Sequence, residues 1–537
     1  MSTTRKISSP DNTQFNLFGG VPESTKASGL KTAVDSGRRF VTGERNLIFL
    51  GATRLEEYLK QANQRTPFIV VDLLSKQDWD SFERRYASTG RAPYAPQLMM
   101  GLVLYGVMQG IHSLRELERM ARLDLGCMWV TGGITPDHAN IGRFIVMHEE
   151  ELTTRFFESL TRSVLAITGS KSTRLAGDGT VIEAACSHYN LLKKEAIKER
   201  TVAAVEAVRN APDDQEAQQE LQASQQCQAI FEERESKRKS SGKSVESLCI
   251  SASEPQAMVQ RLKRGRGFAA SYKPSVLANE DRIITAFAVD ASSETKVVAD
   301  MLDQSERVTG TEATELLADA GYFHNEVIKA TLERDISLLC PEGQWPAKVQ
   351  TEGLFHKSAF NYDESTNTYQ CPAGHQLIML YNYAETASSE AHRVYGSTRC
   401  QGCPLRDKCT RAVKGKRIKR YAEDEQRDAL RLVMQQPQAK HIFSQRKAMV
   451  EPVFSALRCQ QGLNRFRCKG LQAVKREFAL HALAYNLSRA VALLWALFIL
   501  FYAALRALRA TAHHFLKCFF RFDGSRKKIY STLLFKG

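Results

Sequence analysis

Two short apolar runs each end on an aspartate set among small residues. Residues 173–183 read TRLAGDGTVIE around Asp178, and residues 314–322 read TELLADAGY around Asp319. Both read as strands with a carboxylate at the C-terminal end, where ligands usually sit in α/β sheets. Small neighbours let the backbone turn and leave the carboxylate uncovered. A third carboxylate, Glu451, lies in RKAMVEPVFSALR on a predicted helix beyond a long polar stretch. Three hard oxygen ligands from separate elements could hold two Mg²⁺ ions. Such a pair activates an attacking oxygen and stabilises a leaving one in phosphoryl transfer. With 59 acidic residues in the chain, capping or surface aspartates are the plain alternative on spacing alone. Glu477, in KREFALHALAYNL, is a rival third carboxylate among packing positions of a helix, whereas Glu451 precedes a proline that frees local backbone. Asp290 also ends a strand and reads as a turn residue.

Basic residues flank Glu451. Arg446, Lys447 and Arg458 fall within two turns of it and could reach phosphates held over the metals; a solvated helical face is the bland alternative. A second group of donors lies upstream: Cys371, Cys400, Cys403 and Cys409, with His375 as a substitute. A CxxC pair presents two thiolates to a tetrahedral Zn²⁺. The first half lacks its own CxxC, so structural zinc, reduced packed cysteines and redox chemistry all stay open. The basic run at residues 411–420, RAVKGKRIKR, follows directly and suits DNA-backbone contact or a solvated loop.

These side chains need elements to position them. The 537 residues are too many for one compact core and suit two or three domains. Residues 1–70 read as a flexible lead-in. Residues 71–168 read as a helical, helix-turn-helix-like domain, with Thr135 as N-cap and Pro136 in the first turn of its third helix; a plain three-helix packing domain is the alternative. Residues 171–490 alternate strands and helices, which implies an α/β domain with a mixed sheet. Residues 191–255 form a charged helical insertion within it and residues 345–425 a cysteine-rich one. Residues 491–537 form an apolar and basic tail. Its AVALLWALFILFYAAL, residues 490–505, is shorter than the ~20 residues that span a bilayer. It reads as a buried or oligomer-forming helix, a membrane or interfacial segment, or an unpacked tail.

The formal net charge of +15 favours a polyanionic partner, nucleic acid or anionic membrane. The 12 cysteines are mostly scattered singly and no apolar secretory region precedes them, which points to a reducing cytoplasm. There is no Walker A loop, no nucleophile elbow and no HExxH pair.

Four blocks carry a resemblance in order. They are residues 91–144, beginning RAPYAPQLMMGLVLYG; AGDGTVIEAACSHYN; LLADAGYFHNEVIKATLERDI; and RKAMVEPVFSALRCQQGLNRFRCKGLQAVKREFALHALAYNL. Together they resemble the DDE insertion-sequence transposases. The likeness is closest to the group named after insertion sequence eleven-eighty-two, related to the IS-four and IS-five assemblages. The resemblance implies an RNase H-like core with two Mg²⁺ (Mn²⁺ as substitute), held by Asp178, Asp319 and Glu451. It also implies cleavage at transposon ends followed by strand transfer into target DNA. Its partners would be double-stranded DNA and a second copy of the chain, in a bacterial, nucleoid-associated cytoplasm. Phe443 stands where the family's motif has a tyrosine, and Ser455 where glycine is usual. A nuclease without strand transfer, a silent DNA-binding regulator and, from residues 490–505, a membrane-anchored protein are the rival expectations.

Overall fold

The computed structural model describes residues 30–35, 38–187, 190–240, 242, 244–262, 267–343, 353–385 and 391–520, with side chains from 40 to 513. The chain divides into two compact units, Met1–Gly169 with Leu483–Gly537, and Ser170–Ala482.

In the first unit, structure begins inside the stretch expected as a lead-in. Strands Leu30–Asp35 and Arg38–Gly43 pair antiparallel, and helices Leu55–Gln61 and Thr66–Ser75 follow. Leu55 and Leu59 pack with Trp129 in a local core, an apolar pairing that the weak periodicity of this stretch hid. Three further helices form the centre: α1 (Pro96–Met108), α2 (Leu114–Leu123) and α3 (His138–Met147). α1 is buried on nearly all sides, where a single apolar face would need only part of that surface. α2 buries only Leu117, Met120 and Ala121. The N-cap of α3 is Asp137, whose carboxylate accepts from Asn140 N at 2.7 Å. Thr135 lies outside the helix, because an aspartate with its backbone extended directly before the first turn is the better acceptor. His148 is fully buried beside Phe82, Tyr86 and Phe144.

The second unit is built on a sheet of β1 (Arg174–Gly179), β2 (Phe268–Ala278), β3 (Ile284–Asp290), β4 (Glu315–Leu317) and β5 (Ser337–Leu339). The order is β3-β2-β1-β4-β5; β2 is antiparallel to β1 and β3, and β4 is parallel to β1 and β5. Two short strands, Ile182–Glu183 and Met258–Arg261, pair with the first half of β2. Helix α6 (Val298–Thr309) joins β3 to β4, and α7 (Asn325–Leu332) joins β4 to β5. Leu175, Leu277, Leu316 and Leu338 of the sheet pack against Met301 and Leu302 of α6 and Val327 and Ile328 of α7 in one apolar core. The expected charged insertion holds α4 (Lys194–Asn210) and α5 (Gln215–Ser240), with Ile197, Cys227 and Phe231 in a small core of its own.

The cysteine-bearing stretch folds as a separate antiparallel sheet of β6 (Asn361–Asp363), β7 (Thr368–Gln370), β8 (Gln376–Tyr383), β9 (His392–Gly396) and β10 (Arg417–Arg420). Its core is aromatic, with Tyr369, Tyr395 and Phe360. Helices α8 (Asp424–Gln435) and α9 (Arg446–Cys459) follow. The last helix, α10 (Leu471–Phe520), starts in the second unit and ends in the first. Leu483, Leu487 and Ala490 are buried, whereas Leu497, Phe498, Ile499, Leu500, Phe501, Tyr502, Leu505 and Leu508 are exposed. The buried residues stop at Ala490; from Val491 to His513 no side chain is buried, so the described part of the tail is a helix that is not buried within this chain. By length and composition alone, the helix over Leu471–His513 could cross a membrane.

Candidate active site

Strand register brings the two aspartates together. Leu317 of β4 pairs with Ala176 of β1 in parallel, so two residues further on Asp319 stands level with Asp178. A step of two keeps both carboxylates on one face of the sheet. Gly177 and Gly179 do not turn the backbone; neither has a positive φ, and β1 runs on through Gly179. They make room instead. A Cβ on Gly179 would lie 2.7 Å from the Glu294 carboxyl carbon, and one on Gly177 would lie 3.3 Å from Leu277 Cδ2.

After Asp319 the chain enters a short turn, and Asp319 Oδ1 accepts from Gly321 N at 2.8 Å. The Cys340 thiol at the end of β5 donates to the Asp319 carbonyl at 3.0 Å. Burial pushes that thiol up to about 12, so it stays protonated and keeps donating.

Helix α9 lies along the other side of Asp178. Its buried stripe is Arg446, Met449, Val450, Val453, Phe454 and Leu457. Arg446 Nη2 stands 3.0 Å from Asp178 Oδ1 and 3.6 Å from Asp319 Oδ2, while its Nε donates to Gly177 O at 3.2 Å. The side chain of Arg446 is 8% exposed, so this guanidinium faces the carboxylates and not solvent. Lys447 and Glu451 are exposed, and Arg458 donates to Thr180 Oγ1 and, at 3.1 Å, to Val181 O. At 100° per residue, Lys447, Glu451 and Arg458 fall within about 40° of one another on the helix. Arg458 therefore points this stripe at the chain leaving β1, just beyond Asp178. Pro452, inside α9, lacks the N–H that would bond to Ala448 O; Arg282 Nε takes that place at 3.0 Å.

Burial is the main cause that raises the Asp178 carboxyl above its usual range; Arg446 opposes it, and the charges of Asp319 and Glu294 add to it. Tyr322 is buried and pushed up as well, with Glu294, Asp178 and Asp319 the charges that act on it. Glu294 is a further carboxylate whose charge acts on both groups, and its contact with the Cβ position of Gly179 puts it on the opposite face of β1 from the Asp178 side chain. The sequence hides it because ETKVVADMLDQS reads as one helix. The helix begins at Val298, and Glu294 lies in the turn before it. The glycine after Asp178 was the available signal.

The two rival carboxylates have structural partners. Glu477 accepts from Arg467 N at 3.1 and 3.0 Å and from Cys468 N at 2.9 Å. Asp290 accepts from Ser292 N at 2.6 Å and Ser293 N at 2.8 Å, which makes it the turn residue expected.

Cys371, Cys400, Cys403, Cys409 and His375 line one small cavity of about 20 Å³ in the sheet of β6–β10. Cys371 begins a tight knuckle: its Sγ accepts from His375 N at 3.3 Å and its N donates to His375 O at 2.9 Å. Gly415 packs against Cys400 with φ +82°, and a Cβ there would lie 2.6 Å from Cys400 Cβ. Among the described residues, no three Asp, Glu, His or Cys side chains stand close enough together, as placed, to hold a metal ion. Beside Asp319, Ala320 opens a groove of about 580 Å³ lined by Lys357, Lys416, Arg417, Lys419, Arg427 and Arg431, against the acids Glu342 and Asp424. Arg417 and Lys419 are exposed on β10, the end of the basic run at 411–420.

Two families of known proteins match the chain. One, described as a transposase DDE domain, matches residues 370–491, which include the cysteine cavity, Arg446, Lys447, Glu451 and Arg458. The other, described as a transposase domain, matches residues 56–146 in the helical unit. Asp178 and Asp319 lie outside both stretches. No curated protein matches the chain. Together the two matches indicate a DDE-type insertion-sequence transposase, a metal-dependent DNA-cleaving enzyme.

Proposed function

We propose that the chain cuts double-stranded DNA at the terminal repeats of an insertion sequence and joins the freed 3′-hydroxyl to target DNA. The observation that carries this reading is the pairing of Asp178 and Asp319 at adjacent strand ends beneath the helix that bears Glu451. The strand order β3-β2-β1-β4-β5, with only β2 antiparallel to its neighbours, supports an RNase H-like core.

Asp178, Asp319 and Glu451 are all-oxygen donors, which suits Mg²⁺ with Mn²⁺ as substitute. Bound there, divalent cations would supply an activated water or hydroxyl and neutralise charge on the leaving oxygen. Around that centre, the chain's own residues do the positioning. Arg446 keeps two like charges side by side before DNA arrives. Exposed Lys447, and Arg458 at the other end of the stripe, offer cations to phosphates. The groove from Ala320 to β10 gives the backbone a cationic path away from Asp319. The four thiols fit a structural Zn²⁺ that would staple the β6–β10 sheet. The helical unit would add DNA contacts, two copies would act on two ends, and the nucleoid-bearing cytoplasm is the setting.

Product analysis tests the reaction. Duplex DNA carrying the element's ends, supercoiled target and Mg²⁺ should yield joined products with 3′ ends covalently in the target. End cleavage without joining would leave a nuclease, and binding without cleavage a silent regulator.

A further inference from the structure

We propose that the outer face of strands β8–β10 is a stacking platform for an unpaired stretch of DNA strand, with Tyr381 and Tyr383 under the bases and Arg417 and Lys419 on the phosphates. The inference rests on the reading of the chain as an enzyme that acts on DNA.

One irregularity in β8 makes this face. Leu377 and Tyr395 belong to the aromatic core of the sheet, and Met379 pairs with Tyr395. Strict alternation along β8 would send Tyr381 and Tyr383 inward after them. The register slips between Met379 and Tyr381, which leaves Leu380 as an extra residue. Tyr381 then pairs with Val394, and Tyr383 with His392. Val394 and His392 are one and three residues from Tyr395, so both tyrosines turn to the face opposite the core. A β-bulge re-aims side chains in this way. The same face continues onto β10, where Val394 pairs with Lys419 and Gly396 with Arg417.

Rings and cations stand on it together. Tyr381 and Tyr383 are 47% and 48% exposed, with ring centroids 6.1 Å apart. Each is supported from within the sheet. Tyr383 stacks on His392 at 5.0 Å with 20° between the ring planes, and Arg417 Cζ lies 5.5 Å from the centre of the Tyr381 ring. Arg417 and Lys419 are exposed. The fold of the sheet does not require these rings, because its apolar core lies on the other face.

Exposed rings beside cations fit a polyanion that also has flat faces. An unpaired strand offers both, whereas a duplex keeps its base faces inside its own stack. A second copy docked face to face would set Arg417 and Lys419 against their own like charges. The position fits a strand as well. Arg417 and Lys419 also line the groove that begins at Ala320 beside Asp319, so a strand leading away from the carboxylates meets the cations and then the rings.

Fluorescence anisotropy of the full chain tests this, with labelled oligothymidine of about 12 nucleotides beside blunt duplex carrying the element's ends, and with melting curves in parallel. Tyr381→Leu and Tyr383→Leu should each lower the ratio of single-strand to duplex affinity about tenfold. Tyr381→Phe and Tyr383→Phe keep the ring and should hold the wild-type ratio. Arg417→Gln should flatten the slope of log K against log salt for the single strand by about 0.7. That measurement also covers failure of the leucine variants to fold. A wild-type ratio in the folded leucine variants, equal losses in the phenylalanine and leucine variants, or an unchanged salt slope in Arg417→Gln would overturn the proposal. So would a wild type that binds the duplex and not oligothymidine, and each of these leaves the DNA reading intact. Binding to neither DNA would remove the reading and the proposal together.

Discussion

Replacing Arg446 by methionine tests whether this cation belongs to the carboxylates or to DNA. The guanidinium is 3.0 Å from Asp178 and 3.6 Å from Asp319. At an effective dielectric constant of about 20, each contact is worth roughly 5 kcal/mol of gross Coulomb energy. Desolvation of the guanidinium offsets much of it, and Asp319, 45% exposed, keeps solvent for compensation. Breaking a buried pair commonly costs about 3–5 kcal/mol, so about 3 kcal/mol is expected here. Methionine keeps most of the stem's volume, so the loss is electrostatic. At roughly 2–4 °C per kcal/mol for a large domain, the second unit should melt about 6–12 °C lower in chelator. Mn²⁺ should then restore more stability to the variant than to wild type, because it neutralises the two carboxylates that lost their partner. Differential scanning calorimetry with and without Mn²⁺ reads both effects. An unchanged melting temperature in chelator, with DNA affinity alone reduced, would refute the reasoning and return Arg446 to a phosphate contact.

Glu477→Ala should lose about 2 kcal/mol of stability, since three N–H contacts to Arg467 and Cys468 go, yet retain DNA cleavage below its melting temperature; loss of cleavage in a folded variant would make it a site residue. Gly415→Ala forces a Cβ at φ +82° into Cys400, so zinc retention by the purified chain, read by atomic absorption, should fall against about one ion in wild type. His148 is held down to about 4, chiefly by burial with Arg85 adding. Its folded value lies below its unfolded one, so its contribution is full above pH ~6.5 and is lost as pH falls toward ~4, by about 3 kcal/mol in all. His148→Phe, among Phe82, Tyr86 and Phe144, should flatten that part of the acid limb in urea melts of the helical unit, and an unchanged limb would count against it.

The parts of this molecule written in local pattern were legible. The strands ending at Asp178 and Asp319 show as apolar runs stopped by a charge, and the level pairing of the two follows once β1 and β4 are parallel neighbours. The order of strands and helices from β1 to β5 follows from the same alternation. Tertiary facts were not legible. Arg446 and Lys447 are adjacent and chemically alike, but a turn of 100° sends one to the carboxylates and leaves the other exposed. Glu294 lies far from Gly179 in sequence, and only that glycine marks their contact. At the N-terminal side, apolar residues spread over short elements, Leu55, Leu59 and Trp129, gave no period to read. From Val491 to Leu505 the helix is apolar on every face, so its pattern names no single partner surface.

The central claim is that three separated carboxylates form one catalytic centre. Cleavage of duplex DNA carrying the element's ends should be measured for wild type, Asp178→Asn, Asp319→Asn and Glu451→Gln, across Mg²⁺ and Mn²⁺ and beside DNA binding by gel shift. The account predicts divalent-dependent cleavage in wild type and a loss of at least about a thousandfold in each variant, with DNA binding and melting preserved. Full cleavage by folded Glu451→Gln, or cleavage indifferent to divalent ions, would contradict it.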